Sequence, residues 1–162
     1  ISPNDPCFII KIFDIWYLNL VNQFNTQMTN KSKKILCEIS AGELLDKISI
    51  LEIKLDKIKS KNSQEEISKE YRILKEAQDL NIKTTEKIKQ LFRKIKEVNL
   101  NLWDIENEIR IYEKKKDFGK KFTELSRAVY FNNDKRAKIK SEINEILGSN
   151  IKEIKQYADY WL

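Results

Sequence analysis

Residues 85–116 read TEKIKQLFRKIKEVNLNLWDIENEIRIYEKKK. Within them Ile88, Leu91, Ile95, Val98, Leu102, Ile105, Ile109 and Tyr112 recur at intervals of three and four without a break. That spacing returns an apolar side chain to one helix face on every turn, whereas a strand would alternate. It predicts a helix from about Thr85 to Lys116, roughly 45–50 Å long at 1.5 Å per residue. Asp117-Phe-Gly119 ends the pattern, and Phe118, Phe122, Leu125 and Val129 open another helix, continued by Ile139, Ile143 and Ile146 up to Gly148. Asn132 and Arg136 fall on inward positions of that seam. Whether the helix kinks or breaks at Asn132-Asn133-Asp134, whose side chains compete for backbone hydrogen bonds, stays open at this level.

Toward the N-terminus, Leu44, Ile48, Leu51, Leu55 and Ile58 form a second heptad seam, widened by Leu45, Ile50 and Ile53. A helix apolar on more than one stripe needs cover on more than one side, so this one is expected to be central. Ser40-Ala-Gly-Glu43 matches a capping box at its start, and the pattern stops near Ser60. Ser63-Gln-Glu-Glu66 reads as a second box, opening a shorter helix with Ile67, Tyr71 and Leu74 on one face and running to about Leu80. Whether the chain breaks at 81–85 stays open at this level. Lys33 to Ile39 alternates as a short strand would. The tail from Ile151, with Tyr157, Tyr160 and Trp161, is apolar enough to pack back, with the short strand as one place for it. The fold class is therefore all-α: antiparallel helical hairpins in a coiled-coil-like bundle, with at most one short strand near the start of the domain. Seams this regular also favour a homodimer.

Composition agrees. Charged residues make up 35% of the 162, and only three glycines and two prolines, Pro3 and Pro6, are present. The absence of histidine removes His-based triads, His general bases and Glu-x-x-His metal pairs. Cys7 and Cys37 cannot form a zinc site alone, and Cys37 in its apolar run reads as a small buried hydrophobe. No cofactor, metal ligand or catalytic dyad is assigned. The net charge of +6 is spread along helix faces, with local concentrations at Lys31, Lys33 and Lys34 and at Lys114, Lys115, Lys116, Lys120 and Lys121. Neither has the pattern of an RNA-binding sheet. The low cysteine count suits a reducing compartment, and the location expected is cytoplasmic.

Residues 1–27 read differently. Phe8 to Val21 is apolar but interrupted by Lys11, Asp14 and Asn19, too short and too polar to span a bilayer. The sole methionine, Met28, precedes the patterned region. The expectation is a single helical domain over 28–162, with 1–27 an upstream-translated extension and an amphipathic docking helix as the rival reading.

Residues 39–54, Ile39-Ser40-Ala-Gly42-Glu43-Leu44-Leu45-Asp46-Lys47-Ile48-Ser49-Ile50-Leu51-Glu52-Ile53-Lys54, resemble the signature of a bacterial and phage family, domain of unknown function 6165. Later stretches resemble it in the same order: Asn99 to Glu106 around Trp103, Asp117-Phe-Gly119, Val129-Tyr130, Asn133 to Asn144 around Arg136, Gly148-Ser149, and Lys155 to Tyr160. Ala41 stands where that family usually has proline, a change the first helical position tolerates. The resemblance covers about 33–160 and implies a helical fold with no assigned activity. It also implies an accessory role beside glycosyltransferases of surface-polysaccharide synthesis.

Three clusters are candidate ligand-binding sites. Glu43, Asp46, Lys47, Glu52 and Lys54 crowd the central helix, where they either pair at bundle edges or line a polar pocket. Arg136, Lys140 and Asn144 share one face, with Asn133 a turn earlier. Arg136 either bridges to Glu43, Asp46 or Glu106 and fixes helix register, or offers its fork to a phosphate or carboxylate. Trp103, Glu106 and Tyr130 form a third set, either core or a stacking platform. The leading functional expectation is a non-enzymatic interaction or adaptor protein with a protein partner, accessory to glycan synthesis. The alternative is a small enzyme or binding protein for an anionic sugar or nucleotide, and the third is a basic, nucleic-acid-associated protein.

Overall fold

A computed structural model describes residues 35–156. The chain divides into two units, Ile1–Cys37 and Glu38–Leu162, and the fold below is that of the second. Its described residues form four helices: α1 (Ala41–Lys57), α2 (Lys61–Asn81), α3 (Glu86–Lys115) and α4 (Lys120–Leu147). The expectations for residues 1–34 and for Tyr157, Tyr160 and Trp161 lie outside the described residues.

α1 is the hub. It packs against α2, α3 and α4, while α2 packs on α1 alone among the described helices. Leu44, Leu45, Ile48, Leu51 and Ile53 are all buried, which is the double stripe the sequence shows. Each such side chain contributes about 1.5–3 kcal/mol relative to an exposed one. At the base of the bundle Leu45 meets Ile88 and Leu91 of α3 and Ile143 of α4, with Phe92, Ile139 and Leu147 closing round them.

α3 and α4 form a long antiparallel hairpin. Thr85 caps α3 by accepting the Ile88 N–H at 3.3 Å, and Lys116 ends it in the left-handed conformation. The seam is buried only in its first half: Ile88, Leu91, Ile95 and Val98 are buried, whereas Leu102, Ile105, Ile109 and Tyr112 are half-buried. Beyond Asn99 α1 covers the hairpin only across an open cavity, which Ile50 and Ile53 share with Leu102 and Trp103.

Several boundaries differ from expectation. Residues 35–39 form no strand: an alternating segment needs an edge to pair with, and a bundle offers none. Cys37 is exposed, not buried. α1 ends at Lys57, and α2 starts at Lys61 instead of at the Ser63 box, with no side-chain cap on Ser60. The Gln64 amide explains this. It donates to the carbonyls of Leu55 (2.8 Å) and Ile58, closing the end of α1 from the first turn of α2. The chain does break between Asn81 and Glu86. α4 runs unbroken through Asn132, whose amide donates to the Ala128 carbonyl at 2.8 Å instead of interrupting the helix. Ile146 is 45% exposed, and Leu147 packs on the core in its place.

Candidate functional site

The first turn of α1 lies against the last turns of α4 so closely that every exposed donor is met by a side chain. Ser149 Oγ accepts from Ala41 N–H at 3.1 Å, Asn144 Oδ1 from Gly42 N–H at 2.7 Å, and Ser40 Oγ from Glu43 N–H at 3.3 Å. A helix N-terminus left open attracts anions, but here protein oxygens already fill it. Glu43 does not reach back to the Ser40 backbone as a full capping box would. Its carboxylate receives the Lys140 ammonium, which also donates to Glu153 at 2.6 Å. Lys140 is only 9% exposed. Burial alone would lower its pKa, yet the hydrogen bonds it donates to Glu153 and Glu43 outweigh that and hold it above the ordinary lysine value. The Lys140 bond in turn draws the Glu153 pKa below the usual carboxylate range.

One and a half turns along α1, the Asp46 carboxylate is 3% exposed. Oδ1 accepts from Arg136 Nε at 2.8 Å and Asn99 Nδ2 at 2.8 Å, and Oδ2 accepts from Arg136 Nη2. Asn99 also donates to Ser49 Oγ at 2.8 Å, and Ser49 donates to the Asp46 carbonyl at 2.7 Å. α1, α3 and α4 are thus tied by one fully bonded polar cluster in the core. The hydrogen bond to Asp46 is the main cause that raises the Arg136 pKa, against opposing burial. A fork held bidentately to a buried carboxylate is a structural bridge, and it sets the register of α4 on α1.

Arg136 remains 27% exposed and lines a cavity open to the surface. That cavity, of about 420 Å³, lies where the hairpin leaves α1; Ile50, Leu102, Trp103, Asn107 and Asn133 line it with Arg136. Glu106 and Arg110 also border it and pair with each other at 2.8 Å. Both guanidinium groups at the cavity therefore already face a carboxylate.

The sequence candidates separate into three places. Glu43, Lys140 and Asn144 meet at the start of α1. Asp46, Arg136, Trp103 and Glu106 meet at and below the cavity. Lys47 and Glu52 face another way: Lys47 pairs with Glu70 at 2.7 Å, and Glu52 takes Lys96 at 2.7 Å and the Tyr71 hydroxyl at 3.3 Å. Burial, with Glu52 beside it, pushes the Tyr71 pKa up. Ser49, Asn99, Ser149 and Glu153 complete the clusters and were not singled out from sequence. For Asn99 a signal existed, since it sits four residues after Ile95 and three before Leu102, inside an apolar stripe. Among the described residues no group of three His, Cys, Asp or Glu side chains is placed to hold a metal ion, and no described helix is long and apolar enough to cross a membrane.

Residues 35–160 match the Family of unknown function (DUF6165). The chain belongs to that family. Within the matched stretch, Gly42 and Glu43 join α1 to α4, Asp46 and Ser49 belong to the polar cluster, and Glu52 reaches toward α2 and α3. No curated protein and no solved structure matches the chain.

Proposed function

We propose that this DUF6165 chain is a non-enzymatic helical interaction module, and that the projecting α3–α4 hairpin is its docking element. The observation that carries this reading is the contrast between the two halves of the molecule. At the base, polar groups are spent on one another: Lys140 on Glu43 and Glu153, Arg136 on Asp46. On the hairpin Ile111 and Phe118 are each 52% exposed and Trp103 is half-buried, and α2 also turns Ile73 and Leu80 outward. Such exposure costs solubility unless something covers it. In the cell the module would act beside a larger cytoplasmic enzyme, and an accessory role in glycan assembly remains the working context.

A second reading, a binding protein for a small anionic sugar or nucleotide, is favoured by the Trp103 cavity. The pairing of Arg110 and Arg136 with carboxylates weighs against it, because a phosphate would have to displace Glu106 or Asp46. The test compares wild type with Ile111→Ser/Phe118→Ser, both checked for an unchanged melt. The interaction reading expects the wild type to hold a stoichiometric protein partner that the double variant loses. It also expects no thermal stabilisation by sugar phosphates or nucleotides. A midpoint raised by such a compound, with partner retention indifferent to the two substitutions, would reverse the order of the two readings. A steep loss of nucleic-acid binding with salt would instead favour a role for the basic tip.

A further inference from the structure

The face of the hairpin on which α1 rests continues beyond α1 toward the tip. On α3, Trp103, Asn107 and Ile111 recur at intervals of four and so share one stripe. Trp103 and Asn107 border the cavity, Ile111 is 52% exposed, and the hairpin ends in Phe118, equally exposed and packed edge-on against Phe122 with ring centres 5.2 Å apart.

Charge is polarised along this same stretch. Residues 104–108 carry Asp104, Glu106 and Glu108 and no base, while residues 114–121 carry Lys114, Lys115, Lys116, Lys120 and Lys121 against a single Asp117. The acidic run ends three residues before Ile111, and the basic run begins three residues after it. The stretch of α4 alongside residues 104–111 carries one charge of each sign, Glu124 and Arg127, so the polarity belongs to α3 and the tip.

We propose that a second copy of this chain covers the stripe, with the two α3 helices antiparallel and crossing at Ile111. In that register Glu108 of one copy faces Lys114 of the other, each lying about 60° round the helix from Ile111. Phe118 then reaches the Trp103 cavity. Each contact occurs twice, as a two-fold interface requires. A parallel arrangement would set lysine against lysine at the tip. This inference rests on the interaction reading above and names a second copy as the partner.

The test uses the full chain with Cys7→Ser and Cys37→Ser. Sedimentation at micromolar concentration is expected to show a dimer. Ile111→Cys is expected to form an inter-chain disulfide under mild oxidation, while Lys94→Cys, exposed on the same helix nearer its start, stays uncrosslinked. Glu108→Lys should weaken self-association by on the order of tenfold or more through like-charge contact, and Lys114→Glu in the same chain should restore it. Both substitutions are at exposed positions, and a melt confirms folding. A monomer in sedimentation overturns the proposal, as does a dimer in which Ile111→Cys crosslinks no better than Lys94→Cys. A monomer that still loses a foreign partner on Ile111→Ser/Phe118→Ser overturns the second copy alone and leaves the interaction reading standing.

Discussion

A Cβ built on Gly42 would lie 2.6 Å from the Lys140 carbonyl oxygen and 2.9 Å from Asn144 Oδ1. Backbone on the far side cannot move aside as a flexible side chain can, so Gly42→Ala must part α1 from α4. The expected cost is about 1–3 kcal/mol, a fall in melting midpoint of about 2–12 °C. A melt unchanged by this substitution would mean the contact is looser than drawn. Arg136→Ala leaves Asp46 charged and buried with only Asn99 to answer it, and should cost roughly 3–5 kcal/mol. Replacing both partners, Asp46→Leu with Arg136→Met, should cost far less, because no unpaired charge remains. If the double replacement is no milder than Arg136→Ala, the bridge is not the reason Arg136 matters. The sequence already pointed to a carboxylate partner for Arg136, but Glu43, Asp46 and Glu106 were equal choices. The packing of α4 on α1 chose Asp46.

At the level of elements, α2 is held differently from the rest. Gln78 is its one buried residue, and its ties to α1 run through the surface pair Lys47–Glu70, the Tyr71–Glu52 hydrogen bond and the Gln64 cap. Exposed ion pairs contribute about 0–1 kcal/mol each. α2 should therefore open before the other helices, and its amides should exchange faster than those of α1 and the first half of α3. Equal protection across α1 and α2 in hydrogen exchange would refute this. Helix identities were legible because periodicity is a local property. Starts and stops were less so: Ser63-Gln-Glu-Glu66 has capping-box chemistry, yet Gln64 bonds to carbonyls of the preceding helix. Intrinsic preference left a break at Asn132 open, and its back-bond to Ala128 lets the helix pass.

Across the whole molecule, residues 149–156 return to the start of α1, held by Ser149 and by the Glu153–Lys140 bridge. The folded pKa of Glu153 is depressed, so its contribution is present above the ordinary glutamate value of about 4.3 and is lost as pH falls through the lower folded value. The folded pKa of Lys140 is raised, so its contribution is complete below about 10.4 and is lost as pH rises through the higher folded value. Acidification from neutrality to about pH 3 should thus release this segment before the bundle unfolds. Amide signals of residues 150–156 would then sharpen, while those of Leu45 and Ile143 hold. Glu153→Gln should show the released segment already at neutral pH. No difference between the variant and wild type at neutral pH would show that the bridge does not hold the segment.

Sequence alone determined that the chain is helical, where its hairpin turns near Lys116–Gly119, and that α1 is central, because apolar spacing and glycine positions are written locally along the chain. It also named Asp46, Arg136, Lys140 and Asn144 as candidate ligand-binding residues. Which of them meet was decided only by tertiary structure. Arg136 lies 90 positions from Asp46, and Asn144 lies 102 from Gly42, so no helical period relates them. Their pairing follows from the crossing of α1 over α3 and α4. That crossing is set by the Cβ-free approach at Gly42 and by the filling of space around Leu45, Ile88, Leu91 and Ile143.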